Sequence, residues 1–222
     1  MKIKWMGLAS FLVTSDSGVK IINDPYEPGD DPYGYGHELH YGRITDSADV
    51  VTVSHDHWDH NKVKAVKGNP KVLREPGETE VKGIKIKGVA SFHDEVGGKE
   101  RGPNSIFCLE VDGIKVCHLG DLGHKLSKEQ LEEIGPVDVL LAPVGGVFTI
   151  DAKTATELAG LLKAKIIIPM HYKHDKCNFP VAEVDDFLVG KKNVSQPGAS
   201  EIELHKGDLP KSATVVVLNA AC

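Results

Sequence analysis

The run His55-Asp56-His57-Trp58-Asp59-His60 packs three imidazoles and a carboxylate into six residues with H-x-H-x-D-H spacing. Imidazole nitrogen and carboxylate oxygen are the usual ligands of zinc and comparable divalent ions. His55 and His57 are two apart, so in extended chain they project to the same side and can chelate one ion. Asp59 and His60 follow as the chain turns and can face a second ion beside the first. The bland alternative is a solvated histidine-rich turn. Against it stands the preceding Asp49-Val50-Val51-Thr52-Val53-Ser54, β-branched and apolar, which reads as a buried strand. Ligands at the end of a strand are held by a rigid element, as a metal site requires. Trp58 is expected to pack beneath such a site rather than to touch substrate.

Three further apolar runs stop at a metal-type ligand. Ala90-Ser91-Phe92 ends at His93, Val116-Cys117-His118-Leu119-Gly120 ends at Asp121, and Ile166 to Met170 ends at His171. His118 is the rival of His93. The Gly- and charge-rich loop 97–104 follows His93 directly. Its Arg101 and Asn104 could bind an anionic or carbonyl oxygen of substrate, or serve as surface charge and turn residue. His124, close after Asp121, could support a ligand or act as a general acid. The segment from Pro25 to Arg43 shows neither strand nor helix periodicity and is rich in Gly, Tyr, His and acid. Loops this long are often functional, so it is either an active-site lid or a cover over a sheet edge. His37, His40, His174 and His205 carry no assignment.

The elements that must position these residues are mostly strands. Strand-like runs lie near 2–6, 9–14, 19–23, 49–54, 71–74, 84–92, 104–111, 114–119, 137–142, 166–169, 200–204 and 214–218. Helical patterns lie near 127–134, 153–163 and 180–190, with Ser127 and Asp151 or Thr154 as N-caps and Pro180 as a helix start. Many strands with a few helices between them suit two packed sheets with helices outside. Asp112-Gly113 reads as a two-residue hairpin turn, which sets Cys108 opposite Cys117; in a reducing compartment both would stay thiols.

The chain has 222 residues, 41% of them hydrophobic, which fits one globular domain with ample core. Its formal charge of −6 and the lack of a long basic stripe make nucleic acid a poor default partner. Lys62, Lys64 and Lys67 read as a solvated face. No stretch approaches the roughly 20 apolar residues of a membrane span. Trp5 to Val13 weakly imitates a signal peptide, but no small-x-small cleavage site follows, so a cytoplasmic protein is expected.

Taken together these motifs resemble the metallo-β-lactamase superfamily, in particular its small single-domain branch that includes the ascorbate-6-phosphate lactonase-like hydrolases. The resemblance covers nearly the whole chain. Lys4-Trp5-Met6-Gly7 and Ile21-Ile22-Asn23-Asp24-Pro25 look like the opening strands and a "D-P" turn. His55, His57, Asp59 and His60 match the second motif, His93 the third, Gly120-Asp121 the fourth and Pro169-Met170-His171-Tyr172 the fifth. Pro143-Val144-Gly145-Gly146 with Phe148-Thr149 looks like a branch-specific loop.

The resemblance implies an αββα four-layer sandwich over residues 1–222. It implies that His55, His57 and His93 hold one ion, that Asp59, His60 and His171 hold a second, and that Asp121 bridges them. If Asp121 faces the ions, His118, three residues away in extended chain, tends to face away. The ions would be zinc, with manganese or iron as alternatives. The implied activity is hydrolysis of a small lactone or ester by a metal-activated hydroxide, with Asp59 also orienting the nucleophile. A phosphodiesterase or nuclease is the alternative enzyme. A di-iron redox or other non-hydrolytic metal protein is the alternative of a different kind. One departure is Leu8, where relatives usually carry His directly after the first glycine.

Overall fold

A computed structural model describes residues 1–222. The strands are β1 (Lys2–Gly7), β2 (Ser10–Thr14), β3 (Lys20–Asn23), β4 (Gly29–Asp30), β5 (Glu38–Leu39), β6 (Val50–Thr52), β7 (Lys71–Leu73), β8 (Gly77–Val81), β9 (Ile84–Phe92), β10 (Pro103–Val111), β11 (Ile114–His118), β12 (Val139–Pro143), β13 (Ile166–Met170), β14 (Val194–Ser195), β15 (Glu201–Glu203) and β16 (Thr214–Val216). The helices are α1 (Lys128–Ile134), α2 (Ala152–Leu161) and α3 (Val184–Leu188). One sheet runs β15-β1-β2-β3-β6-β7, the other β14-β16-β13-β12-β11-β10-β9-β8, and β4-β5 form a separate ribbon.

Strand alternation in the first sheet sorts side chains into two cores. Ile3, Trp5, Phe11, Val13, Ile21 and Val50 face the second sheet and join its apolar face in the main core. Their neighbours Met6, Leu12, Ile22 and Val51 face outward into a second cluster with Tyr26, Leu39, Tyr41, Ile44 and Phe179. Each fully buried side chain of this size contributes about 1.5–3 kcal/mol, so both faces of this sheet are strongly fixed. The three helices pack on the second sheet, α1 against β9, α2 against β12 and α3 against α2. The sandwich is thus of the expected class. Its outer layer over the first sheet is irregular chain, with one 3-10 turn at Val63–Ala65 and no α-helix.

Local chemistry explains most boundaries. Ser127 and Gln130 form a reciprocal capping box at α1. The Asp151 side chain accepts from the Thr154 amide and starts α2. Asp112 and Gly113 both adopt positive φ, and Cys108 pairs with Cys117 across the hairpin, both thiols free. Two expectations differ from the structure. Strand β8 is mostly exposed and polar, so it carries no alternating signal. The helix expected over 180–190 shrinks to α3, and Pro180 does not start it. The reason is that 173–183 is held extended: Ala182 donates to Gly145 O and accepts from Lys173 N. No helix is long and apolar enough to cross a membrane.

The topology gathers the candidate ligands. β9 and β11 both lie antiparallel to β10, and β11, β12 and β13 are parallel. The C-terminal ends of β9, β11 and β13, which lead to His93, Asp121 and His171, therefore emerge at one edge. β6 delivers His55 to the same edge, where Ser105 N donates to Ser54 O across the two sheets.

Candidate metal centre

Four imidazoles converge on one carboxylate oxygen. The Nε2 atoms of His93 and His171 each lie 3.2 Å from Asp121 Oδ2, His60 Nε2 lies at 3.4 Å and His55 Nε2 at 3.9 Å. Two donor groups flank this point. His55, His57 and His93 form one, and Asp59, His60 and His171 the other, with the donor atoms in each within 4.8 Å of one another; Asp24, His55 and His60 meet the same distance but are joined to one another through Ser54 and the Nδ1 atoms. All seven residues expected from the sequence are therefore brought together. His118 is not among them. It is buried between the sheets, with Nε2 donating to Ala9 O at 2.8 Å and Nδ1 accepting from Gly120 N at 3.2 Å.

A residue outside the expected set fixes the tautomers. The Asp24 carboxylate accepts from Ser54 N (2.7 Å), from Ser54 Oγ and from His60 Nδ1 (3.0 Å). Ser54 has one hydroxyl proton and spends it on Asp24, so it must accept from His55 Nδ1, 2.9 Å away. Both imidazoles thus carry a proton on Nδ1 and turn Nε2 towards the site, where a bound cation would take its lone pair in place of any proton. Asp24 sits there because β3 and β6 are parallel with Asn23 opposite Thr52, which sets the residues after them side by side. Its only sequence signal is the Asp-Pro turn after a strand.

Electrostatics follow from this arrangement. Burial, then the neighbouring His60, holds His55 well below the usual imidazole range. Burial and His93 lower His57. Burial would lower His60 too, but the Asp121, Asp59 and Asp24 carboxylates outweigh it and hold it up at about 10. Burial would raise Asp121, but His171 and His60 outweigh it and hold its carboxyl well below its ordinary value. His55 Nε2, His60 Nε2 and Asp121 Oδ1 are buried without any hydrogen-bond partner. Each such atom costs about 1–3 kcal/mol unless something takes its lone pair. A divalent cation with nitrogen and oxygen ligands is the group this donor set fits.

Backbone geometry completes the centre. Gly120 has φ +56°, and a Cβ there would lie 2.4 Å from Asn104 Oδ1 and 2.5 Å from Ser54 Cβ. Gly145 lets the chain pass His171, whose carbonyl oxygen would lie 2.3 Å from a Cβ. Leu8 O accepts from His171 N and from Trp5 Nε1, both at 3.1 Å, while the Leu8 side chain packs in the outer cluster.

Two expected site residues are corrected. Asn104 does not face substrate: it is buried, donates to Ser91 Oγ (2.7 Å) and Leu119 O (3.0 Å), and accepts from Asp121 N (3.0 Å). It positions the Asp121 loop instead. His124 is not a general acid, because both ring nitrogens are spent on backbone. Nε2 accepts from Phe92 N (3.1 Å), and Nδ1 donates to Lys125 O (2.8 Å). Arg101 does line the pocket, 5.7 Å from the centre of the Phe148 ring.

The pocket above the donors has a volume of about 470 Å³. His57, Asp59, His93, Asp121 and His171 form its floor, and Tyr33, Trp58, Phe148 and Phe179 its apolar walls. Trp58 therefore meets the cavity while also packing on the outer cluster. The 25–43 segment contributes to two surfaces, the outer face of the first sheet and the rim of the pocket. Tyr26, Leu39 and Tyr41 cover the sheet, and the β4–β5 ribbon hangs Tyr33, Tyr35 and His37 over the pocket. Each rim loop wraps a carboxylate. Tyr33 N donates to Asp31. The amides of Val96, Gly98, Glu100 and Arg101 donate to Asp94.

Residues 2–171 match the family described as the beta-lactamase superfamily domain. A UPF0173 metal-dependent hydrolase of Pyrococcus abyssi is 31% identical, over 92% of this chain and 100% of its own length. Another from Carboxydothermus hydrogenoformans is 32% identical, over 83% of this chain and 88% of its own. Among solved structures, a protein of Thermotoga maritima assigned as a Zn-dependent hydrolase of the metallo-β-lactamase superfamily is 45% identical. It aligns with a TM-score of 0.79 over 98% of this chain and 97% of that one.

Proposed function

The chain belongs to the metallo-β-lactamase superfamily and is a metal-dependent hydrolase, and from that premise we propose that it holds two divalent ions and cleaves a small lactone or ester. The observation that carries the reading is the pair of three-donor groups flanking one shared carboxylate, Asp121. His55, His57 and His93 would hold one ion, Asp59, His60 and His171 the other, with Asp121 between them. Nitrogen and oxygen donors without thiolate suit zinc, and also manganese or iron. Bound divalent ions would supply Lewis-acid polarisation and lower the pKa of water towards 7.

The chain's own residues do the rest. Asp24 and Ser54 keep His55 and His60 in the tautomer that offers Nε2. Asp59, at the pocket floor, orients the attacking water. Arg101 faces a carbonyl or anionic oxygen of the substrate. The aromatic walls exclude water and pack against the substrate's apolar part. A cavity of about 470 Å³ suits a small molecule. Glu100 beside Arg101, within a chain of net charge −6, argues against a nucleic-acid substrate. We place the protein in the cytoplasm, where Cys108 and Cys117, opposite each other across the hairpin, would stay thiols.

The test is metal analysis of protein purified without added metal, followed by a panel of lactones, carboxylic esters and phosphodiesters. Two ions per chain and turnover of lactones or esters are expected. Turnover confined to phosphodiesters would overturn the substrate assignment.

A further inference from the structure

We propose that His37 is the group that protonates the leaving oxygen, a proposal that rests on the hydrolytic reading above. Of the four imidazoles lining the pocket, His57, His93 and His171 belong to the metal donor groups and His37 does not. Neither of its ring nitrogens has a hydrogen-bond partner, whereas both ring nitrogens of His124 and His118 are spent on backbone. The ring is half-buried and its nitrogens open to the cavity, so they are free to meet a group that enters it.

Its placement is built. The ring lies against Phe179 with centroids 4.8 Å apart and edge-on to Phe148 at 5.6 Å. Phe179 in turn lies 6.0 Å from His171, so His37 and the metal donors share one aromatic wall of the pocket. The backbone on either side is clamped by a single amide. Asn178 Oδ1 accepts from Glu38 N (2.8 Å), and Asn178 Nδ2 donates to Gly36 O (3.0 Å). His37 O accepts from Asp31 N at 2.8 Å, closing the ribbon from the other side. A residue held at both neighbours, with its functional atoms free, is preorganised for a ligand.

The chemistry needs such a group. When water adds to an ester or lactone carbonyl, the new C–O bond forms and the old one breaks. The electron pair passes to the leaving oxygen. An alkoxide is a poor leaving group, so a proton must reach that oxygen as the bond breaks. Protonated His37 gives it from a ring nitrogen, the attacking water releases its own proton to solvent as the acid product forms, and His37 recovers a proton from that solvent through the pocket mouth. Imidazole is the side chain suited to this exchange near neutral pH.

The test compares wild type and His37→Gln on 4-nitrophenyl acetate, whose leaving group needs no proton, and on δ-valerolactone, whose alkoxide does. Metal content and melting temperature are measured alongside. We expect unchanged metal content and melting, a loss of roughly 100-fold or more in kcat on the lactone, and a loss of less than about threefold on the nitrophenyl ester. His37→Phe, which keeps the aromatic packing, should behave as His37→Gln does. Equal losses on both substrates, or none on the lactone, would overturn the assignment to His37 and leave the hydrolytic reading standing. Wild type that turns over neither substrate when metal-loaded would overturn the ester reading and this proposal with it.

Discussion

Replacing Asp24 by Asn should weaken both metal positions at once. The carboxylate accepts three hydrogen bonds, from Ser54 N at one oxygen and from Ser54 Oγ and His60 Nδ1 at the other. An Asn that keeps the bond to Ser54 N turns its NH₂ towards the other two donors. The network can then survive only reversed. The amide donates to His60 Nδ1, and the Ser54 hydroxyl turns to donate to His55 Nδ1. Each imidazole must move its proton to Nε2, the atom that faces the site. His55 belongs to one donor group and His60 to the other, so both ions lose a lone pair. Changes of this kind typically cost 10–100-fold in metal affinity, or about 1.4–2.8 kcal/mol per ion. Because hydrogen bonds are exchanged rather than deleted, the metal-free protein should melt within a few degrees of wild type. Competition titration against a chromophoric chelator reads both dissociation constants. Loss at one ion alone, or both constants within twofold of wild type, would refute the relay through Ser54.

Three further outcomes follow from the same geometry. Asn104→Ala should lower metal content and stability together, because it leaves buried partners unpaired at about 1–3 kcal/mol each; a raised KM with full metal content would instead make Asn104 a substrate residue. Burial would raise Asp94, but the amides of Arg101, Gly98, Glu100 and Val96 outweigh it and hold the carboxyl down at about 2. Since this is a depressed carboxylate, its contribution to loop order is present above about pH 4 and lost as pH falls towards 2; loss of the 94–101 amide chemical-shift dispersion already at pH 5–6 would contradict it. Leu8→His puts an imidazole into the apolar outer cluster and should destabilise by about 1–3 kcal/mol with metal content unchanged. Efficient wild-type turnover of a sugar-phosphate lactone, unaltered by the substitution, would show that Leu8 does not shape substrate choice.

The donor set was legible because metal ligation is local chemistry. His55, His57, Asp59 and His60 lie within one turn, and His93, Asp121 and His171 each end an apolar strand, so type and position signal the role. Asp24 carried no comparable signal. Its role depends on β3 and β6 pairing in parallel, a long-range fact that strand periodicity does not encode. Asn104 and His124 were misread for a related reason. Closeness in sequence to a ligand says nothing of whether a polar atom faces the cavity or a backbone group, and in both cases backbone claims it. The outer layer over the first sheet was legible only as an absence of periodicity. The residues that build it, Tyr26, Leu39, Tyr41 and Phe179, are large apolar anchors scattered in irregular chain. Helix α3 fell short of its expected length because strand-like bonds to Gly145 and Lys173 claim the chain before Val184.

The central claim is that one site holds two ions around Asp121. Anomalous diffraction at the zinc edge, on crystals of protein loaded with zinc, tests it most directly. Two peaks are predicted, one among His55, His57 and His93 and one among Asp59, His60 and His171, with the Asp121 carboxylate between them. A single peak, or a second one away from Asp59, His60 and His171, would contradict the account.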